Sequence, residues 1–265
     1  MSDKTKDEEE PGKGEEPEMG FFDHLEELRM RIIYMLIGII VASLATGFFI
    51  DDIMENFLLL PAAKYGLTLQ NLAPFGQPFL YFKVILITGL ILSFPFILYQ
   101  LWRFIAPGLY DKERKWVGSL TVLTSVSFMI GVVFSYYALI PSMLSFAASF
   151  GTEKIKNFID VNQYLSFITM MLLASGIIFE MPILSFLLAR FGIITAKMMR
   201  KYWRHSIVAI LIIAAVLTPT PDPVSQMIFA APLFALWEIS VQVAKIAERG
   251  RRAREARRAR EAGEE

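Results

Sequence analysis

The chain has 265 residues, of which 55% are hydrophobic, including 22 Phe and 13 Met, while charged residues make up only 20%. So apolar a composition excludes an ordinary soluble domain, and several stretches without charge exceed the roughly 18 residues that mark a membrane span. The formal net charge is zero, and the absence of cysteine removes disulfides, thiolate metal sites and cysteine nucleophiles.

The zero net charge conceals segregation. Residues 1–18 are mainly acidic, with too little apolar surface to offset the entropy of ordering, so an acidic disordered extension is expected there. The segment lacks the basic start and short apolar core of a secretory signal, so its retention is expected. The first span is predicted at 32–50, whose nineteen residues approach 30 Å at about 1.5 Å per residue. The second, third and fourth are predicted at 79–102, 116–140 and 164–189. Lys83 lies near one end of the second, where its stem can carry the ammonium toward the headgroups. Two apolar runs of about a dozen residues follow, at 205–217 and 227–237, joined by TPTPDPVSQ. They read as a short-legged helical hairpin that must recruit polar flanks, sit inside the bundle or thin the bilayer.

The expected fold is therefore an all-α polytopic membrane protein with six transmembrane helices, the last two short. Residues 1–18 precede a six-helix domain at 19–247, and 248–265 form an arginine-rich tail. Six spans put both termini on one side. That side carries Arg29 and Arg31, then Arg103, Lys112, Arg114 and Lys115, then Arg190, Lys197, Arg200, Lys201 and Arg204, whereas the opposite loops hold only Lys64, Lys154 and Lys156. The asymmetry predicts both termini in the cytoplasm. In the first outer loop, 51–61 has the pattern of an interfacial amphipathic helix presenting Ile53, Phe57, Leu58 and Leu60; a helix packed on the span ends fits equally. The tail either extends the last span as a charged helix or lies solvated against anionic lipid. Topology alone accounts for its positive charge, so no nucleic-acid role is assigned.

Four acids stand out. Glu27 lies in HLEELRMR at the entrance of the first span, where pairing with Arg31 four residues on is the simplest structural account. Glu113 lies in FIAPGLYDKERK, after a break at Pro107 and Gly108, with Arg114 and Lys115 beside it. If the bundle brings Glu27 and Glu113 together, they make a site for cations, and guanidinium is the best geometric match. Glu180 lies deep in the fourth span, two residues before Pro182. An ionisable residue at that depth marks function, unless it serves the backbone carbonyls that Pro182 frees. Asp222, with Ser225 and Gln226, sits at the hairpin tip, where helix capping competes with binding. His24 and His205 are the only histidines, so no HExxH site exists, and GxxxxGK, GxGxxG and GxSxG are all absent. No cofactor or metal is expected, nor an enzyme.

Four blocks in this order, HLEELRMR at 24–31, SFPFILYQLWRFIAPGLYDKERK at 93–115, FEMPI at 179–183 and LTPTPDPVSQ at 217–226, resemble the TatC family of the twin-arginine translocation system over about residues 20–245. The resemblance implies a six-span receptor in a bacterial-type cytoplasmic membrane. Such a receptor binds twin-arginine signal peptides of folded cargo at the cytoplasmic face, assembles with TatA and TatB proteins as a homo-oligomeric complex, and is driven by the proton gradient. It places the paired arginines on Glu27 and Glu113, with Arg29, Phe104, Pro107, Leu109 and Arg114 shaping the site. Glu180 matches an intramembrane glutamate, and Asp222 and Gln226 match polar positions at a partner-binding turn. The family's LTPPD stands here as LTPTPD, with one extra residue in the turn. The competing class is a proton-coupled small-solute transporter using Glu180, with an intramembrane hydrolase a distant third.

Overall fold

The computed structural model describes residues 21–72, 76–106, 117–149, 158–218 and 223–261. The disorder expected for 1–18 lies outside the described residues, as do Pro107, Leu109, Glu113, Arg114 and Asp222.

The structure is almost entirely helical. In chain order the helices are α1 (Phe21–Phe48), α2 (Ile50–Ile53), α3 (Leu60–Lys64), α4 (Gly76–Ile105), α5 (Val117–Phe134), α6 (Ile140–Ala148), α7 (Val161–Phe179), α8 (Met181–Arg190), α9 (Ala196–Lys201), α10 (Trp203–Leu217) and α11 (Pro223–Glu261). A π-helical turn, Met54–Leu58, lies between α2 and α3, and another, Ser135–Leu139, joins α5 to α6. Two short strands, β1 (Thr68–Gln70) and β2 (Phe158–Asp160), pair in parallel with Thr68 opposite Phe158.

Among the described residues, five helical segments are long and apolar enough to cross a membrane: Phe22–Phe48, Gly76–Ile105, Val117–Ala148, Val161–Arg190 and Gln226–Arg257. The apolar α10 has only 15 residues. The expectation of two short final helices therefore holds for α10 alone. The last apolar run ends in sequence at Glu238, but that carboxylate is paired with Arg200, and Val241, Ala244 and Ala247 continue the buried face. Beyond it, pairs from Glu248 to Arg252 and from Arg251 to Glu255 support an Ala- and Arg-rich helix, so the described part of the tail, to Glu261, extends α11 without a break.

Because lipid offers apolar side chains no drive to associate, close packing decides which helices touch. Helix α1 packs chiefly on α4; Ser43 occupies the notch over Gly89, and the Phe96 ring lies over Gly38. The centre is α4, α5 and α7. There a Cβ on Gly131 would come within 2.6 Å of the Ser175 carbonyl and 2.9 Å of Gly176 Cα. Phe128 covers Gly176 and stacks on Phe94 with centroids 3.7 Å apart, and the Trp102 indole donates to Thr124 Oγ1 at 3.1 Å. Helix α11 packs along α8 and α10.

The segment expected as an amphipathic interfacial helix packs on the bundle. It is broken into α2, a widened turn and α3, burying Met54, Leu58 and Ala62 while Phe57 and Leu60 stay exposed. Pro61 has no N–H for the Phe57 carbonyl, and Tyr136 Oη donates to that carbonyl at 3.1 Å. One residue on, Tyr164 Oη enters the helical ladder itself, accepting from the Ala62 N–H at 3.1 Å and donating to the Leu58 carbonyl at 2.9 Å. Asp160 caps α7 through the Asn162 and Gln163 amides at 2.8 and 3.1 Å, and its other oxygen accepts from Leu72 N–H.

Gly131→Val should force α5 and α7 apart and cost about 1–3 kcal/mol or more, whereas Gly118→Val, where a Cβ meets nothing within 4 Å, should cost far less. Thermal unfolding in detergent compares them; equal midpoints would refute the close contact. Tyr164→Phe should destabilise by about 1–2 kcal/mol through loss of two backbone partners, read in the same assay and as faster amide exchange at Ala62.

Candidate functional site

One end of the bundle gathers the start of α1, the end of α4 and the end of α8; Leu98, Trp102 and Leu187 form a buried cluster joining the last two. Helical spacing puts His24, Glu27 and Arg31 on one face of α1, and Gln100 and Phe104 on one face of α4. The two faces meet. Arg31 donates from one guanidinium nitrogen to Glu27 Oε1 at 2.9 Å and from the other to Gln100 Oε1 at 3.0 Å. His24 stacks on Phe104 with centroids 4.4 Å apart and planes 15° apart. The Glu27 and Arg31 side chains are 19% and 15% exposed, so the pair is more shielded than a surface ion pair of negligible worth.

Its geometry leaves something over. Glu27 Oε2 is buried and has no hydrogen-bond partner among the described residues, although a carboxylate oxygen removed from water is costly to leave unmatched. One oxygen is fixed by an arginine of the same helix; the other faces inward with spare acceptor capacity. An added donor group, best a planar guanidinium, would complete it. Arg29 is exposed beside this face. Glu113 belongs to the segment between α4 and α5, eight residues past Ile105 and four before Val117.

Glu180 stands at the break between α7 and α8. Pro182 cannot donate, and the turn reroutes the ladder, with Ile183 and Leu184 N–H both donating to the Glu180 carbonyl at 3.1 and 2.9 Å. The freed Phe179 carbonyl accepts from Ser127 Oγ of α5 at 2.7 Å. It is therefore Ser127 that mends the backbone, while the Glu180 side chain is 5% exposed with Oε1 unpartnered. Gln226, expected at a partner-binding turn, donates from Nε2 to the Leu211 carbonyl at 2.9 Å and so ties α11 to α10. Among the described residues no group of three or more His, Cys, Asp or Glu side chains is placed to hold a metal.

Sequence reasoning paired Glu27 with Arg31 but passed over Gln100 and the stack of His24 on Phe104. A glutamine in an otherwise apolar helix marks a polar group that must find a partner, but the sequence does not say which; the structure buries Gln100 to 6% exposure against Arg31.

Comparison with known proteins gives the family. Residues 23–232 match the family model described as Sec-independent protein translocase protein (TatC). A TatC from Deinococcus radiodurans is 37% identical, covering 85% of both chains, and one from Helicobacter pylori is 37% identical over 84% of this chain and 86% of the other. The chloroplastic TATC of Pisum sativum is 35% identical over 89% of this chain and 66% of its own. A crystal structure of the twin arginine translocase receptor TatC superposes with a TM-score of 0.77 at 34% identity, covering 84% of this chain and 99% of that one. With a family match over most of its length, relatives above one-third identity and a shared helical membrane fold, the chain belongs to the TatC family of Sec-independent protein translocases, transport components rather than catalytic enzymes.

Proposed function

We propose that the chain is the receptor subunit that binds twin-arginine signal peptides at the cytoplasmic face and assembles with TatA and TatB proteins to export folded cargo on the proton motive force. It does so in a bacterial-type cytoplasmic membrane as part of a homo-oligomeric complex. In this topology α10 is a sixth, short span and both termini are cytoplasmic, consistent with the clustering of basic residues at the end that holds Glu27. The acidic 1–18 extension and the 248–265 tail lie outside the receptor core at 19–247.

The observation that carries the proposal is the buried Glu27 Oε2, which has no partner among the described residues. One arginine of the signal completes this carboxylate, and Glu113 receives the other. Arg31 and Gln100 hold Glu27 in place, so the carboxylate need not reorganise on binding. Phe104, Pro107 and Leu109 shape the site in this proposal, with Arg29 and Arg114 as its basic positions. Lysine makes a poorer ligand because an ammonium cannot form the planar fork. Glu180 offers a polar contact within the membrane to a partner helix, and the turn with Asp222 and Gln226 docks partners. A small-solute transporter gains nothing from the family to which the chain belongs.

The purified chain should bind a twin-arginine signal peptide and lose about ten- to a hundredfold in affinity on Glu27→Ala, on Glu113→Ala or when the peptide carries Lys-Lys. That range corresponds to about 1.5–3 kcal/mol for each charge-assisted hydrogen bond. Equal affinity across all four combinations in fluorescence anisotropy would sink the two-carboxylate site.

Glu180→Leu should leave that peptide affinity within about twofold yet weaken site-specific crosslinking to partner helices by about three- to thirtyfold, as expected for an interhelical polar contact of about 0.6–2 kcal/mol. Unchanged crosslinking would remove Glu180 from partner binding.

A further inference from the structure

A groove of about 460 Å³ lies between α9 and the second half of α11 and is edged by Lys197, Arg200, Lys245, Glu248, Arg249 and Arg252. Its one acid is already committed. Glu248 pairs with Arg252 through one oxygen and accepts from the Ala196 N–H through the other at 3.4 Å, and Arg200 is paired with Glu238. Lys197, Lys245 and Arg249 are exposed and form no ion pair with a described residue, so the groove keeps three uncompensated cations. Such a concentration of like charge is unfavourable unless an anion offsets it.

The surroundings indicate which anion. The Arg200 guanidinium lies over the Trp237 ring at 5.9 Å, Lys201 over Tyr202 at 5.7 Å and Arg204 over Trp203 at 5.8 Å. Tryptophan and tyrosine interleaved with basic residues at the end of apolar helices is the composition of a membrane headgroup layer. On α11 the last apolar run ends at Trp237, and the exposed Lys245 and Arg249 follow it, which sets the groove just past the aromatic layer. Basic pockets between helices at that depth suit a phosphodiester with its acyl chains running down the helix surfaces.

We infer that this groove binds the headgroup of an anionic phospholipid, with Lys197, Lys245 and Arg249 as its ligands. Arg200 and Arg252 are already held by Glu238 and Glu248 and serve as its walls. The site is independent of signal-peptide recognition, since it shares no residue with the Glu27 face.

The test uses the full chain in nanodiscs of phosphatidylcholine containing a minor fraction of either brominated phosphatidylglycerol or brominated phosphatidylcholine. All variants, including the reference, carry Trp102→Phe, Trp116→Phe and Trp203→Phe, so that Trp237 alone reports quenching. The reference should be quenched preferentially by the anionic lipid, with the preference falling as salt rises. Lys197→Gln/Lys245→Gln/Arg249→Gln should lower apparent affinity for that lipid at least about fivefold, whereas Arg257→Gln/Arg260→Gln in the tail should leave it unchanged. Equal quenching by the two lipids overturns the inference. So does a preference that survives the triple substitution or vanishes equally with the tail substitutions, which would reduce it to diffuse attraction. A preference seen only after deletion of residues 1–18 also overturns it, because the acidic extension would then be the occupant. Peptide binding by the triple variant at wild-type affinity would show that the receptor face is folded and separate.

Discussion

In hydrocarbon no water is available to a stray N–H or C=O, so every break in a helix must be mended by another part of the protein. The arrangement of this bundle follows from where its breaks fall. Pro61 leaves the Phe57 carbonyl without its helical donor, and Tyr136 supplies one from a π-helical turn on the neighbouring segment. Tyr164 bridges the adjacent pair of backbone groups. At Pro182 the ladder is rerouted through Glu180, and Ser127 reaches across from α5 to the Phe179 carbonyl. Each repair joins two different helices, so the same hydroxyls that satisfy the backbone also fix which helices are neighbours.

Against that background the few buried polar atoms left over are conspicuous. Glu27 and Glu180 both present a buried carboxyl oxygen with no partner, yet their settings differ. Glu27 stands at the end of the bundle, held by Arg31, which Gln100 anchors in turn. A charged ligand arriving there need only shed water partway. Glu180 stands among apolar side chains at a helix break, where a polar atom from an adjacent helix is the natural complement and a fully charged ligand is expensive. One acid is suited to a soluble cationic motif and the other to something already in the membrane.

Much of this was legible in the sequence. Long apolar runs located the first four spans, because membrane length and backbone satisfaction leave few alternatives; the run at 79–102 lies within three residues of each end of α4, whereas α1 starts eleven residues before 32 and the run at 164–189 crosses the break at Glu180 into α8. The pairing of Glu27 with Arg31 followed from spacing on one helix. The blocks from HLEELRMR to LTPTPDPVSQ carried the family. Contacts between helices were not legible: nothing local announces that Gln100 meets Arg31 or that His24 stacks on Phe104, since those depend on how α1 lies over Gly89 and Gly38. Nor did hydropathy reveal the length of α11. Glu238 ends an apolar run on paper, but its charge is met by Arg200 from α9, a residue 38 positions away. Glu113 and Asp222 fall outside the described residues, so for them the sequence remains the whole source.

The mismatch between α10 and α11 ties the fold to the basic groove. As an ideal helix the 15 residues of α10 reach only about 22 Å, short of a hydrocarbon core of about 30 Å. Its polar start cannot stay in bulk water while its other end reaches the opposite interface. Tyr202 and Trp203, and with them α9, are drawn into the headgroup layer or the bilayer thins toward them. Helix α11 is under no such constraint and continues past the interface, carrying Lys245, Arg249 and Arg252 alongside α9. A short helix beside a long one therefore brings two basic segments together at the depth of lipid phosphate. The excess positive charge is tolerated there because the membrane itself supplies the counterion.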